Sequence, residues 1–184
     1  MFSNMVSAKI IDVDKNYKPY LLDTFNAVNR PLIIPIIYKG KMVNVQARGH
    51  AKYLKANRSA MKYKNMWGAK TYFYNKDALD GMKAGDTLYI VEGSTDAMRL
   101  AQEGYNAIAT MGGIGKIDML FMELIADFKI IIVPDTDDTG RVGAESVARI
   151  ASTYQKYKHK KVMLKVLKLP KGIKDVCEYY QHYH

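Results

Sequence analysis

Cysteine is nearly absent: Cys177 is the only one in 184 residues. That excludes an internal disulfide and a cysteine-based zinc site, and the apolar and aromatic neighbours of Cys177 mark a reduced, structural thiol. Long apolar runs are missing too, none approaching the roughly 20 residues that cross a bilayer. The opening MFSNMVSAKIIDVDKNYK has neither the basic start nor the continuous apolar middle of a secretion signal, so a cytoplasmic protein without membrane partners is expected. Acids are scarce as well. Against 28 Lys and Arg stand 18 Asp and Glu, a net charge of +10 that suits a phosphate-bearing partner. From Lys39 to Lys76 there is no acid at all, while Tyr53, Tyr63, Trp67, Tyr72, Phe73 and Tyr74 are interleaved with the cations. Cations for phosphates beside flat rings for bases suit single-stranded nucleic acid, although each ring taken singly has the core as its ordinary place.

What is present divides in two. Up to about Lys83 the pattern is irregular and β-containing: RPLIIPIIYKGKMVNVQARG reads as strand, turn at Lys39-Gly40 and strand, with Pro31 and Pro35 placing the first near an edge. KAGD (83–86) is the expected seam, giving a basic lobe over 1–85 and a second domain over 86–184. Strands TLYIV, NAIAT, KIIIV and KVMLKVL then alternate with helices STDAMRLAQEG, KIDMLFMELIADF, GAESVARIASTYQKY and IKDVCEYY. Ser94 or Thr95 is the expected cap of the first helix and Gly104 its stop. Such alternation predicts an α/β fold, a mostly parallel sheet with helices on both faces.

In a sheet of that kind ligands bind outside the carboxyl ends of the strands, and there the chain places its acids. Glu92 follows TLYIV; Asp135 and Asp137 follow KIIIV across Pro134. If those strands are neighbours, three carboxylates share one crevice. Crowded carboxylates raise one another's pKa unless a cation intervenes, and oxygen donors suit Mg²⁺ or Mn²⁺, one or two ions.

Taken alone, DTDDTG admits other readings. It fails as an EF-hand, because Thr139 stands where an Asp or Asn ligand belongs and Ser146 where the bidentate Glu belongs. Strand followed by DxDxT also fits an aspartate-nucleophile phosphatase of the haloacid-dehalogenase type, but that leaves Glu92 idle and too little chain downstream. A plain surface turn is the bland alternative. GGIGK (112–116) lacks the Walker spacing and reads as a strand-to-helix turn whose amides could touch a phosphate, and the histidines of YYQHYH read as a frayed tail.

The pairing of VEGSTDAMRLAQEGYNAIATMGG with DTDDTGR resembles the Toprim domain shared by bacterial-type primases, topoisomerases and some nucleases. The resemblance implies that Glu92 with Gly93 is the family's strand-end glutamate pair, Asp96 its helix-start aspartate, and Asp135, Asp137 and Gly140, followed by Arg141, its DxDxxG loop. Upstream, LIIPIIYKGKMVNVQARGHAKYLKA is similar to the basic lobe of bacterial and bacteriophage primases, with Arg48 and Lys52 at its template- and nucleotide-binding positions and Lys62 and Lys64 in the basic region that follows. Downstream, LPKGIKDVCEYY resembles the primase segment in which a Lys-Asp pair, here Lys174 and Asp175, opens a helix. Lys55 departs from the Asn usual after Lys-Tyr-Leu.

The resemblance implies nucleotidyl transfer, a DNA primase core making short RNA primers on single-stranded DNA from nucleoside triphosphates. Glu92, Asp135 and Asp137 would hold the divalent metal, or Glu92 would act as base on the primer 3′-hydroxyl. Asp96 would cap or orient Glu92, or lie among the ligands. Asp138 is either a metal neighbour or solvated, and Asp175 serves a second metal or the structure. Primases of this type carry a zinc-binding module and a helicase or helicase-binding domain. Neither is in this sequence, so an excised core, a minimal primase of a phage or mobile element, or one part of a split system is expected. The alternatives are a Toprim nuclease and a non-catalytic nucleic-acid-binding replication accessory. A topoisomerase would need a catalytic tyrosine on a separate, larger domain.

Overall fold

Residues 29–65 and 73–183 are described in the computed structural model of the chain. The N-terminal stretch, Trp67, Tyr72 and His184 lie outside them. Two compact units meet between Tyr72 and Phe73.

In the first unit, β1 (Leu32–Tyr38) and β2 (Lys41–Arg48) form an antiparallel hairpin, to which β3 (Tyr63–Asn65) adds on the β2 side. The hairpin turns at Lys39 and Gly40, both at positive φ (50° and 70°), as a two-residue turn matched to strand twist requires. Pro35 has no N–H to give a ladder and lies in β1, an edge strand. Helix α1 (Ala51–Ala56) begins at His50, whose Nδ1 accepts the Tyr53 N–H at 3.1 Å. Arg30 is a structural pin that composition does not reveal. It is 6% exposed, and its guanidinium donates to the carbonyls of Met61 (2.6 Å), Lys62 (3.3 Å) and Ala47 (3.4 Å).

The second unit is a parallel four-stranded sheet in the order β5-β4-β6-β7: β4 (Thr87–Val91), β5 (Ala107–Ala109), β6 (Lys129–Ile132) and β7 (Met163–Val166). Alternation along β4 builds two cores. Leu88 and Ile90 join Ile130, Ile132, Met122 and Val147 on the face covered by α3 (Met119–Ile125) and α4 (Asp138–Lys158). Tyr89 and Val91 join Ala97, Leu100 and Val176 on the face of α2 (Ser94–Gln102) and α5 (Val176–Tyr183). The mostly parallel sheet with helices on both faces is therefore the observed architecture.

The boundary between units precedes the KAGD turn because residues 73–85 pack onto this sheet. Tyr74 exchanges backbone hydrogen bonds with Ala109 (2.9 and 3.1 Å), Asn75 donates to the Ala107 carbonyl (2.9 Å), and Phe73 stacks on Phe121 with ring centroids 3.8 Å apart. Phe73 and Tyr74, two of the interleaved rings, thus serve the core. Helix α2 is capped by Gly93 rather than by Ser94 or Thr95, and α4 starts five residues before the expected Gly143, at Asp138, because the Asp137 side chain caps it.

Candidate active site

Because β4 and β6 are adjacent and parallel, the residues leaving their carboxyl ends emerge side by side. Glu92 leaves β4; Val133 continues the ladder with its N–H on the Ile90 carbonyl at 2.9 Å, after which Pro134 turns the chain toward Asp135. The Glu92 carboxylate accepts the Asp135 N–H at 3.3 Å, joining two loops 43 residues apart. Asp137 closes the turn by accepting the Gly140 N–H at 2.9 Å as the cap of the long helix α4. Only glycine fits at 140: a Cβ there would stand 2.2 Å from the Asp135 carbonyl oxygen and 2.8 Å from the Glu92 carboxylate.

Electrostatics single out two of these acids. Burial pushes Asp135 up to about 7, and the charges of Glu92, Asp96 and Asp175 push the same way, against the opposing pull of Lys174. Glu92 is also raised, chiefly by burial and then by Asp137 and Asp96, while the Asp135 N–H and Lys174 act against the rise. Hard oxygen donors crowded and buried enough to have their pKa values raised are a donor set that fits a divalent magnesium-type cation. Asp137 spends one carboxylate oxygen on the helix cap, which leaves the second for such an ion.

Asp96 and Asp175 do different work. Donor atoms of Asp96, Asp175 and Cys177 lie within 4.8 Å of one another. Yet the thiol is pushed up to about 12 by burial and by Asp96, so it stays protonated and is a poor ligand. Asp96 is 6% exposed and, from the first turn of α2, accepts the Cys177 N–H in the first turn of α5 at 2.9 Å, so one carboxylate faces two helix N-termini. Asp175 accepts the Glu178 N–H at 2.8 Å and the Glu178 carboxylate accepts the Lys174 N–H at 2.5 Å, a reciprocal cap on α5. The Lys174 carbonyl in turn accepts the Thr136 N–H at 3.0 Å, tying the α5 approach to the Asp135 loop. No sequence pattern announces the Asp96 tie, because its partners are 81 residues apart.

The remaining residues scatter more widely. The Asp138 side chain is 97% exposed and pairs with Arg141 at 3.6 Å, while Arg141 also reaches Glu145 at 3.0 Å. GGIGK is a turn beside the acids: the Met111 N–H donates to the Glu92 carbonyl at 3.2 Å, and Gly115 packs on Gly143 of α4. In the first unit Arg48 ends β2 with its guanidinium 5.8 Å from the Tyr63 ring centre, and its buried Nε has no hydrogen-bond partner among the described residues. Lys52 is exposed on α1, Lys62 lies over the Tyr63 ring at 5.6 Å, and Lys64 pairs with Ala47 in the sheet.

A family model described as Toprim-like matches residues 89–180, half of the chain. The chain belongs to the Toprim-like family. Glu92, Asp135 and Asp137 all fall within the matched span. The fold is also that of primase catalytic cores. A DNA primase domain from Pseudomonas aeruginosa matches with a TM-score of 0.68 at 23% identity over 99% of this chain and 55% of that one. The Aquifex aeolicus primase, with its zinc-binding and RNA polymerase domains, matches at 0.67 and 20% identity over 99% and 43%. The DnaG primase catalytic domain bound to single-stranded DNA matches at 0.63 and 19% over 98% and 56%. The chain thus spans about half the length of these structures. No curated protein sequence matches it. Among the described residues no helix is long and apolar enough to cross a membrane.

Proposed function

We propose that this chain is a primase-type nucleotidyltransferase core that makes short RNA primers on single-stranded DNA. The observation that carries the reading is the meeting of Glu92 and Asp135 at the carboxyl ends of adjacent parallel strands, with Asp135 pushed up to about 7. Glu92, Asp135 and the second oxygen of Asp137 would hold Mg²⁺ or Mn²⁺. Bound there, such an ion supplies Lewis-acid neutralisation of phosphate oxygens.

The chain's own residues do the rest. The Asp135 N–H holds the Glu92 carboxylate in place, as a ligand or as the base that takes the proton of the primer 3′-hydroxyl. Lys174, the cation that opposes the raised pKa of both acids, offers its charge to a triphosphate, with Arg141 at the start of α4 as a second cation. Arg48, Lys52, Lys62 and Lys64 bind the template in the first unit, where the aromatic rings and the orphaned Arg48 Nε favour a nucleic-acid ligand. Solved primases of this fold include one bound to single-stranded DNA and one with a zinc-binding domain, which supports single-stranded DNA and a separate zinc-binding module as partners; a replicative helicase is a further partner in this proposal, in the cytoplasm.

The test is incubation with single-stranded DNA, labelled ribonucleotides and Mg²⁺ or Mn²⁺, resolved on a denaturing gel beside Glu92→Gln and Asp135→Asn. Short new products that vanish in both variants are expected. Shortened DNA without synthesis would favour a Toprim nuclease instead, and intact binding with no reaction in any protein would favour a replication accessory or a catalytic fragment waiting for its missing module.

A further inference from the structure

A second acid-free stretch runs from Ser146 to Lys174, SVARIASTYQKYKHKKVMLKVLKLPKGIK, with Arg149 and eight lysines. Its meaning depends on where the sheet puts it. β7 is an edge strand, and Val162, Leu164 and Val166 turn inward against the core beneath α4. The alternate residues Lys161, Met163, Lys165 and Leu167 are exposed. Lys168 and Lys171 follow, also exposed, and the chain then bends so that Lys174 stands beside Glu92 and Asp135.

Two neighbouring lysines are already neutralised, Lys158 by Glu123 at 2.9 Å and Lys160 by Asp127 at 2.6 Å. Lys161, Lys165, Lys168 and Lys171 have no acidic partner among the described residues. A Lys-bearing edge would suffice to discourage edge-to-edge pairing, but that needs one or two charges, not a row leading to the reactive centre. Beside the row, Lys168 shares a groove of about 300 Å³ with Tyr105, Tyr179 and Tyr180. Tyr105 is 44% exposed, and the Arg99 guanidinium lies 4.5 Å from the Tyr180 ring centre. Cations in a line with rings alongside match a single strand's phosphates and bases. Strand β7 covers Met163–Val166, and with its flanks the chain from Lys161 to Lys168 spans at most roughly 23 Å, room for several phosphates.

We propose that this edge of the sheet is a track for the single-stranded DNA template, leading along β7 to the acidic centre. The inference rests on the nucleotidyl-transfer reading, since a primer is short and the template is the strand long enough to run past the centre.

The test is fluorescence anisotropy of labelled single-stranded DNA, 8 or 24 nucleotides long, across a salt series. Lys165→Ala/Lys168→Ala is compared with wild type and with Lys83→Ala/Arg149→Ala, which loses the same net charge elsewhere. The expected result is a slope of log affinity against log salt that is shallower by about 1.4 for the 24-mer, 0.7 per lost phosphate contact, with the control unchanged. The 8-mer, held by the first unit, should lose less. Equal slopes in all three proteins with binding and primer synthesis intact would overturn the track alone. Failure of wild type to bind DNA would overturn it together with the proposed function, and a slope change confined to an RNA 24-mer would overturn the choice of strand.

Discussion

Two pairs of carboxylates lie at the same end of the sheet and behave differently. Asp96 and Asp175 are spent on helix N-termini, accepting the Cys177 and Glu178 N–H groups at 2.9 and 2.8 Å. Glu92 and Asp135 are half-buried and repelled by their neighbours, and both are raised, Asp135 to about 7. The first pair has its charge compensated by helix dipoles and amides; in the second, burial and neighbouring carboxylates disfavour the charged forms, and Asp135 at about 7 is still partly protonated near neutral pH. A shared crevice therefore does not give shared roles, and the unresolved charge falls on the pair we propose as reactive.

The largest separation between the pairs should appear in catalysis. Glu92→Gln or Asp135→Asn should lower primer synthesis by about 10²-fold or more, as loss of charge from a metal-type catalytic centre does. Asp96→Ala should instead unfold the protein more easily, by about 2 kcal/mol, because the Cys177 amide is left without its acceptor in a half-buried site. Melting curves beside the gel assay read the contrast, and equal losses of activity at matched folded fraction would break it.

Gly140→Ala strikes the reactive pair through the backbone. Its Cβ would overlap the Asp135 carbonyl oxygen, so a loss of about 2 kcal/mol and weakened Mn²⁺ binding are expected in thermal melts with and without the ion.

Asp135 also sets a pH dependence with a definite sign. Its folded pKa, about 7, exceeds the ordinary 3.8, so the folded protein binds more protons and stability falls as pH rises through that window. Asp135→Asn removes the penalty. Discounted for partial exposure, the metal-free variant should be more stable by about 1 kcal/mol at pH 8, roughly 2–4 °C in Tm, with no difference below pH 4. Mg²⁺ should shrink or reverse the difference by stabilising the wild type alone. The smallest effect belongs to Asp138→Ala, an exposed ion pair whose loss should change stability by less than about 0.5 kcal/mol.

How much of this was legible depended on sequence distance. TLYIV and KIIIV read directly as strands because buried parallel strands are short apolar runs, and the acids at their ends followed at once. The N-terminus of α4 was hidden because Gly140 and Gly143 look like loop residues; one is required by the Asp135 carbonyl and the other by the packing of Gly115. Phe73 and Tyr74 read with the basic lobe they follow, yet their partners Phe121 and Ala109 lie downstream, and that moves the boundary to 72/73. Lys165 of β7 and the lysines flanking it gained meaning only from the strand order, which makes that strand an edge.

The central claim, that a proton and a divalent cation compete for Asp135 with a midpoint near pH 7, is tested most directly by calorimetric titration of Mn²⁺ in buffers of different ionisation enthalpy. With Asp135 at about 7, its share of the release on binding should be about 0.9 proton at pH 6 and about 0.1 at pH 8, and Asp135→Asn should remove that share, leaving only what Glu92 contributes. Binding without proton release at pH 6, or release undiminished in Asp135→Asn, would contradict the account.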